Sequence, residues 1–412
     1  MSNILLLLGV LVFVAHLLTQ VFRRTLIPDV LVLVLIGLIA GPVAGWIAPD
    51  DFGKAGQVIS TIALVVILFE GGTSLNIPTL RSALGATGKL ALGCFVLTAL
   101  IATLVGHTFL GLSWIAAAIL GATIGGTSSA VVIPMVGMLN LNEKPATVLV
   151  LESAITDVLC IVGVFALIHV VVDGSVNPGQ LVGSVLAAML FATVIGILGG
   201  IGWLLVLRRL RDFPNTISST IAYVFIVYGV TEGLGFSGGI AALALGITMT
   251  NYQEMGLAKL KILDGQRLTP LTEVDFLFYK ESVFLLKTFF FVYLGVSIRF
   301  SETHIFLVVV GMLAAIFLVR ILLTRFIVDQ DYSPHDAAIT SMMAPKGLAA
   351  AVLATLPMQY GIEGSEIIRD TTYTVVLGSI TLCALLVMVY PIPFVQSAYA
   401  ALLPKTANKT HE

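Results

Sequence analysis

The chain has 412 residues, of which 58% are hydrophobic and only 11% are charged, and its formal net charge is −2. Soluble domains contain about 25% charged residues, so this composition, with a mean hydropathy of +1.06, excludes an ordinary soluble protein and indicates a polytopic membrane protein. A net charge so close to zero gives no sign of a nucleic-acid partner. The three cysteines lie in apolar runs, which predicts neither a disulfide nor a metal framework.

Thirteen apolar stretches are long enough to be membrane-spanning helices. They are residues 3–22, 28–48, 57–75, 84–108, 113–138, 146–172, 181–207, 216–234, 236–250, 277–298, 304–328, 337–358 and 371–400. The division between the eighth and ninth stretches depends on the glycine-rich GLGFSGG, and the last is long enough to bend at Pro391 and Pro393. With the N-terminus outside, most lysines and arginines fall on the cytoplasmic side, including Arg320 and Arg325 at a helix end. The sequence therefore predicts a plasma (inner) membrane protein with an outer N-terminus and a cytoplasmic C-terminus.

A weak internal repeat relates the third and tenth stretches. Aligning LFEGGTSLN (68–76) with FVYLGVSIR (291–299) places Gly72 opposite Gly295. Because the third stretch ends inside and the tenth ends outside, the repeats are predicted to be inverted, which places a binding site between them. The single membrane domain (1–412) then divides into a first six-helix repeat (1–172), a linker helix (181–207), a second six-helix repeat (216–400) and a short cytoplasmic tail (401–412).

The fifth and twelfth stretches are interrupted by helix-breaking residues at corresponding places. The fifth contains Gly125 and Gly126 followed by the hydroxyl residues 127–129, and the twelfth contains Pro345 and Gly347. Two such interruptions are a good sequence indication of a transporter site, because half-helix ends bring partial charges and free carbonyl groups to the midplane. We expect two broken helices that cross there.

The sixth stretch carries two carboxylates, Glu152 and Asp157, inside an apolar run. A carboxylate near the midplane costs about 2.5–3.5 kcal/mol on insertion scales, so by default it marks an ion or proton path. Ser153 lies four residues before Asp157 on the same helical face and Thr156 is adjacent, whereas Glu152 points to another face. We predict that Asp157 binds both the cation and the proton.

Oxygen ligands suit hard monovalent cations, and hydroxyl residues surround this carboxylate. The predicted binding residues are Asp157, Thr156, Ser153, Thr127 and Ser128. Alternatively, the hydroxyl groups at the break only form hydrogen bonds with backbone groups.

Further ionisable residues lie within the predicted spans. Lys346 and Lys287 either neutralise buried acids or take part in transport directly. Lys287 could pair with Asp157 in the ion-free state, or with Glu152. Glu70, near the cytoplasmic end of its span, either reaches water or belongs to a cytoplasmic ion funnel.

Several stretches together resemble the monovalent cation/proton antiporter superfamily, close to its NhaP-like prokaryotic branch. They are IPDVLVLVLIGLIAGP (27–42), LFEGGTSLN (68–76), TSSAVV (127–132), ESAITD (152–157), GLGFSGGIAALALG (233–246), FFFVYLGVSI (289–298) and APKGLAAAVLA (344–354). The resemblance covers nearly the whole chain. It implies a homodimer, in which a core domain of broken helices moves against a dimerisation domain.

The chain departs from the NhaP-like pattern at four positions. Thr156 replaces an asparagine, and residues 127–129 read Thr-Ser-Ser instead of Thr-Asp-Pro, which is closer to the potassium-efflux branch. Lys346 stands where the family usually has an arginine, and Lys287 resembles a lysine of the electrogenic branch. By analogy with the family's Glu–Arg pair, Glu152 is expected to pair with Lys346.

Because threonine does not titrate, Asp157 would be the single exchangeable carboxylate, which predicts electroneutral, one-for-one exchange of a monovalent cation for a proton. Sodium is the expected cation, also lithium, with potassium left open. The alternative is a sodium-coupled organic anion symporter on a similar inverted-repeat fold. No nucleophile–base pair, phosphate loop or cofactor motif is evident in the sequence, so neither an enzyme nor a cofactor is expected.

Overall fold

The computed structural model of the chain describes residues 29–74, 77–173, 178–210, 216–256, 271–298, 303–328 and 332–403, together with the separate residues 9, 13, 14, 16 and 17. The first predicted span (3–22) and most of the predicted tail (401–412) therefore lie outside the described residues.

All regular elements in this part of the chain are helices. The α-helices are α1 (Asp29–Leu38), α2 (Gly53–Ser74), α3 (Ile77–Phe109), α4 (Trp114–Ile124), α5 (Ser129–Met138), α6 (Glu143–Asp173), α7 (Pro178–Leu210), α8 (Thr216–Gly233), α9 (Gly238–Thr250), α10 (Glu273–Ser297), α11 (Thr303–Ile327), α12 (Pro334–Met342), α13 (Leu348–Leu353), α14 (Leu356–Gln359), α15 (Ser365–Val389) and α16 (Pro393–Leu402). A π-helical turn (Ile39–Val43) extends α1, and a 3₁₀ turn (Pro49–Phe52) precedes α2.

The predicted division at GLGFSGG is confirmed, because α8 ends at Gly233 and α9 begins at Gly238. The carboxylate of Glu232 accepts a hydrogen bond from the backbone N–H of Gly238 (2.8 Å), and the Ser237 hydroxyl caps the start of α9. Side-chain oxygens thus satisfy backbone donors that the interruption would leave unpaired.

The last predicted span also bends where its prolines suggested, since α15 ends at Val389 and α16 begins at Pro393. Among the described residues, 6 segments are long and apolar enough to cross a membrane. The fold is therefore all-helical and typical of a membrane protein, while the count of thirteen spans remains a prediction.

The chain forms two compact units. The first comprises the described residues within 1–56, 83–171 and 287–412, and it contains both interrupted helices. The second comprises those within 57–82 and 172–286. In the core of the second unit the Trp203 ring stacks on Tyr223 with 4.6 Å between centroids, and its indole N–H donates to the Thr220 hydroxyl (3.0 Å).

In the first unit, α1 and α10 approach each other so closely that only glycine fits at their contact. A Cβ added to Gly37 would collide with the backbone carbonyl of Val292, and one added to Gly295 would collide with that of Val34. Small residues at such crossings allow helix backbones to pack directly in membrane proteins.

We expect Gly37→Ala to destabilise the protein by about 1–3 kcal/mol, because the backbone carbonyl that it meets has no alternative position. Gly311→Ala is the matched control, since a Cβ there meets nothing within 4 Å. Alanine at position 311 should be neutral or stabilising by up to about 1 kcal/mol, because glycine is the poorer helix former. The measurement is thermal unfolding of both variants in detergent, and equal destabilisation by the two changes would contradict the close contact.

Candidate ion-binding site

The first interruption is confirmed at residues 125–128, between the end of α4 and the start of α5. Groups on α6 replace the helical hydrogen bonds that are lost there. The backbone N–H of Gly126 donates to the Cys160 sulfur (3.0 Å), and that of Thr127 donates to the Thr156 hydroxyl (3.0 Å). Helix α6 therefore holds the broken backbone in place from the side.

The second interruption is confirmed at residues 343–347, between α12 and α13. The two interruptions are in direct contact, because the backbone N–H of Ser128 donates to the carbonyl of Pro345 (2.8 Å). A Cβ on Gly347 would collide with the Ser128 side chain, so the crossing requires glycine at this position. The backbone N–H of Lys346 is satisfied by the Ser379 hydroxyl of α15 (2.9 Å).

Asp157 lies on α6 beside the first interruption, with only 9% of its surface exposed. Its Oδ2 accepts a hydrogen bond from the hydroxyl of Ser129 (2.8 Å), which is the first residue of α5. The start of a helix carries partial positive charge and backbone N–H groups, and it therefore favours an anion nearby. The structure thus places the buried carboxylate at the end of a half-helix.

Ser129 was not among the predicted binding residues, although it is one of three consecutive hydroxyl residues at the break. Each of the three hydroxyl groups can donate to a carboxylate, and the sequence does not indicate which of them does.

The hydroxyl groups of Thr127 and Thr156 lie 3.2 Å apart. Thr156 Oγ1 also accepts from the Thr127 backbone and donates to the carbonyl of Ser153 (3.2 Å). With its proton directed to that carbonyl, Thr156 accepts the Thr127 hydroxyl proton and has no remaining capacity. Thr127 keeps its lone pairs free in this arrangement, so the two threonines differ in what they offer a cation.

The other two predicted hydroxyl ligands are both buried. The Ser153 hydroxyl donates to the carbonyl of Val150 (2.8 Å), within its own helix. Among the described residues, the Ser128 hydroxyl has no hydrogen-bond partner. The structure therefore brings Asp157, Thr127, Thr156 and Ser128 together at the crossing, and Ser153 lies one turn away on α6.

The predicted pairing of Glu152 with Lys346 is wrong. Glu152 forms a two-pronged ion pair with Arg320 of α11, in which both side chains are almost fully buried and the second contact, Nη2 to Oε2, is 2.7 Å. The Arg320 Nε also donates to the carbonyl of Thr340 (2.9 Å), and its Nη1 donates to the Cys94 sulfur (3.1 Å). This guanidinium ties α6 to α3, α11 and α12.

Arg320 was assigned to a cytoplasmic helix end, but α11 continues to Ile327, so the arginine lies inside the helix. The sequence does contain an indication that Arg320 is intramembrane, because this arginine lies within the apolar run AAIFLVRILL. An arginine in such a run, like a buried carboxylate, needs an intramembrane partner.

The two lysines are also buried. Lys346 lies in the second interruption with 2% of its surface exposed, and within the described part of the chain it forms no ion pair. Lys287 lies on α10 with 8% exposed. Glu70, on α2 in the second unit, is half-buried. The predicted roles of Lys287 and Glu70 remain predictions.

Removing the Thr156 hydroxyl should disturb the first interruption, because the Thr127 backbone N–H would lose its acceptor in a buried place. A buried donor without a partner costs about 1–3 kcal/mol. We expect Thr156→Val to lower the thermal stability by that amount, whereas Thr156→Ser, which keeps the hydroxyl, should change it much less. Equal stability of the two variants in a detergent melting experiment would exclude a clamping role for this group.

Two interrupted helices that cross beside a buried carboxylate define a membrane transporter of the broken-helix class. The chain matches the family model described as "Sodium/hydrogen exchanger, transmembrane" over residues 9–389, and it belongs to this family. The resemblance stated above is thereby confirmed.

Individual relatives are more distant. The chain is 25% identical over 380 residues to the K⁺/H⁺ antiporter NhaP2 of Shewanella sp. (strain MR-4), covering 90% of this chain and 63% of the relative. It is 27% identical over 244 residues to the Na⁺/H⁺ antiporter NhaS2 of Synechocystis sp., covering 59% of this chain and 44% of the relative. The chain thus spans less than two thirds of the length of these relatives.

The fold matches that of the sodium proton antiporter MjNhaP1 from Methanocaldococcus jannaschii at pH 8, with a TM-score of 0.73 and 21% sequence identity. The match covers 93% of this chain and 100% of that chain. The all-helical membrane architecture is therefore shared with a solved antiporter.

Proposed function

We propose that the protein exchanges a monovalent cation for protons by alternating access, with Asp157 as the shared binding group. The observation that carries this proposal is the position of the Asp157 carboxylate, which is buried at the crossing and accepts the Ser129 hydroxyl at the start of α5. Such a carboxylate can be neutralised either by a proton or by a cation. Membership of the sodium/hydrogen exchanger family supports the same activity.

Coupling follows from the electrostatics of one carboxylate. Its charged, empty form is strongly disfavoured in a low-dielectric environment, whereas the protonated and the cation-bound forms are both neutral. The protein would change between its outward-open and inward-open states only with a neutral, loaded carboxylate. Each cation moved one way is therefore matched by a proton moved the other way. Because Thr156 does not titrate, the proposed exchange is electroneutral.

The oxygen atoms beside Asp157 suggest how a cation would be held. With the Thr156 proton directed to the carbonyl of Ser153, Thr127 Oγ1 and Ser128 Oγ both keep free lone pairs at the interruption. Carbonyl groups released from helical bonding by the break would complete the shell. Thr156, whose hydroxyl is saturated, would position the backbone instead of binding the ion.

Sodium, with lithium, remains the proposed cation. Relatives named as K⁺/H⁺ antiporters and as an Na⁺/H⁺ antiporter both match this chain, which keeps potassium as the alternative. The organic anion symporter is not favoured, since the matching family is one of sodium/hydrogen exchangers.

The proposed architecture consists of thirteen spans, with inverted six-helix repeats, in a homodimer in the plasma membrane. Glycine contacts within each unit support the repeat. In the first unit Gly37 of α1 packs on α10, and in the second unit Gly246 of α9 packs on α2, where a Cβ would meet the carbonyl of Phe69. The first contact joins predicted spans two and ten, and the second joins predicted spans nine and three. Span two corresponds to span nine in the proposed repeat, and span three corresponds to span ten, so the two contacts are equivalent.

The test uses purified protein in liposomes that contain a pH-sensitive dye. A proton gradient is imposed and sodium, lithium or potassium is added in turn, with and without a clamp of the membrane potential. Cation-driven proton movement that the clamp does not change would support electroneutral exchange and identify the ion. Cation-stimulated uptake of an organic anion without proton movement would instead support the symporter.

Transport that responds to the potential would mean that a second charged group takes part in the cycle. Lys287→Gln then tests the proposed pairing of Lys287 with Asp157. Unchanged cation affinity and unchanged pH dependence in this variant would exclude that pairing.

A further inference from the structure

The last described helix, α16, has three different faces. At 100° per residue, Val395, Tyr399 and Leu403 share one face, and the side chains of Tyr399 and Leu403 are buried against the protein. A second face carries the exposed apolar residues Phe394, Ala398, Ala401 and Leu402, of which Phe394 is 82% exposed. The third face carries the exposed polar residues Gln396 and Ser397.

Contacts at the two ends of α16 show at which face of the membrane domain this helix lies. At its start, the Tyr390 ring lies 5.4 Å from the His335 ring, at the beginning of α12. At its end, the carbonyl of Leu402 accepts a hydrogen bond from Arg325 (2.7 Å), in the last turn of α11. The end of α11 and the start of α12 are separated only by residues 328–333, so both lie at the same face of the membrane domain.

A helix that connects these two ends runs along that face instead of continuing across the bilayer. Its 10 residues have a length of about 15 Å, and it packs against α12. Two prolines, Pro391 and Pro393, end α15 and start α16, which permits the change of direction.

The exposed apolar face of α16 continues an exposed apolar surface on the preceding helix, α15. Helix α15 is one of the segments that are long and apolar enough to cross a membrane, and its last turns expose Leu385 and Met388. Ile392, in the turn, and Phe394, in α16, extend these exposed apolar side chains along the chain. A helix with one apolar face and one polar face at a membrane boundary has the amphipathic pattern of an interfacial helix.

We propose that α16 binds the lipid bilayer at the boundary between headgroups and acyl chains, through Phe394, Ala398, Ala401 and Leu402. Gln396 and Ser397 face water, and the buried face with Tyr399 and Leu403 anchors the helix to the ends of α11 and α12. Because α16 packs against α12, the bilayer surface would support, through α16, the short half-helix that leads into the second interruption. This proposal does not depend on the transported ion.

The test is spin labelling of single introduced cysteines in the full chain, reconstituted into vesicles of phosphatidylethanolamine and phosphatidylglycerol. The native cysteines, Cys94, Cys160 and Cys383, are all buried, so the label should react selectively, and the unaltered chain measures any background. Phe394→Cys tests the apolar face, and Gln396→Cys on the same helix is the matched control. Power saturation compares the access of oxygen, which concentrates in lipid, with that of a water-soluble nickel complex.

We expect oxygen to reach the label at position 394 severalfold better than the nickel complex does, and the reverse ratio at position 396. Preferential access of the nickel complex at 394 would overturn the proposal, because that face would then lie in water. Exclusion of both reagents would overturn it as well. Dipolar broadening would then identify a second copy as the occupant, and its absence would identify another segment of the same chain. Leu402→Cys and Ser397→Cys form a second pair, which decides the question if the Phe394 variant does not fold.

Discussion

Asp157→Asn should reduce cation-driven proton movement to the level of protein-free liposomes. Asparagine has nearly the same shape as aspartate and can still accept the Ser129 hydrogen bond, so the crossing should keep its geometry. It cannot bind a proton or neutralise a cation, however, and the two loaded forms on which coupling depends would not exist. Dye-reported proton movement at saturating sodium and at saturating potassium measures the loss.

Two controls separate this effect from damage to the fold. Asp275→Asn changes a half-buried carboxylate at the start of α10, in the second unit, where asparagine can also accept from the Thr272 backbone, and it should leave transport unchanged. Thermal unfolding of Asp157→Asn in detergent should be close to that of the native chain, because a buried charge has been removed and its acceptor retained. Exchange that persists in Asp157→Asn would exclude the proposed mechanism.

Arg320→Met should destabilise the protein strongly. Removing one partner of a buried ion pair leaves an uncompensated charge and costs about 3–5 kcal/mol. In this variant the carboxylate of Glu152, whose two oxygens both bind the guanidinium, would be left buried without its partner. The carbonyl of Thr340 and the Cys94 sulfur would lose their donor as well. We expect a large fall in the melting temperature in detergent.

The double variant Glu152→Met/Arg320→Met tests whether the loss comes from the unpaired charge. Replacing both members by apolar side chains of similar volume is often close to neutral, so the double variant should recover much of the stability lost in Arg320→Met. The non-additivity of this cycle measures the coupling of the pair. Lys346→Met should be neutral or stabilising, since it removes a buried cation without an ion-pair partner among the described residues. A severe effect of Lys346→Met with a mild effect of Arg320→Met would restore the pairing expected from the sequence.

The positions of the interruptions could be predicted because they depend on local chemistry. Glycine and proline weaken a helix wherever they occur in an apolar run, so Gly125, Gly126, Pro345 and Gly347 indicated both breaks without knowledge of neighbouring helices. Asp157 could be selected for a similar reason, since a carboxylate within an apolar span is costly in any fold.

The partners of these residues could not be predicted in the same way. The pairing of Glu152 depends on the depth at which α11 passes α6, and sequence spacing carries no information on how far one helix is displaced along another. Arg320 was therefore placed at a cytoplasmic helix end, and family analogy selected Lys346 as the partner of Glu152, which was wrong. The role of Ser129 depended on the backbone turn after Thr127, which directs one hydroxyl of three toward the carboxylate.

By itself, the sequence thus determined the class of the protein, the two broken helices and the buried carboxylate between them, because burial of polar groups in a membrane is costly wherever they lie. Only the tertiary structure decided which cation neutralises Glu152 and which hydroxyl binds Asp157. Those outcomes depend on distances of a few ångströms between separate helices, and the packing of side chains sets these distances.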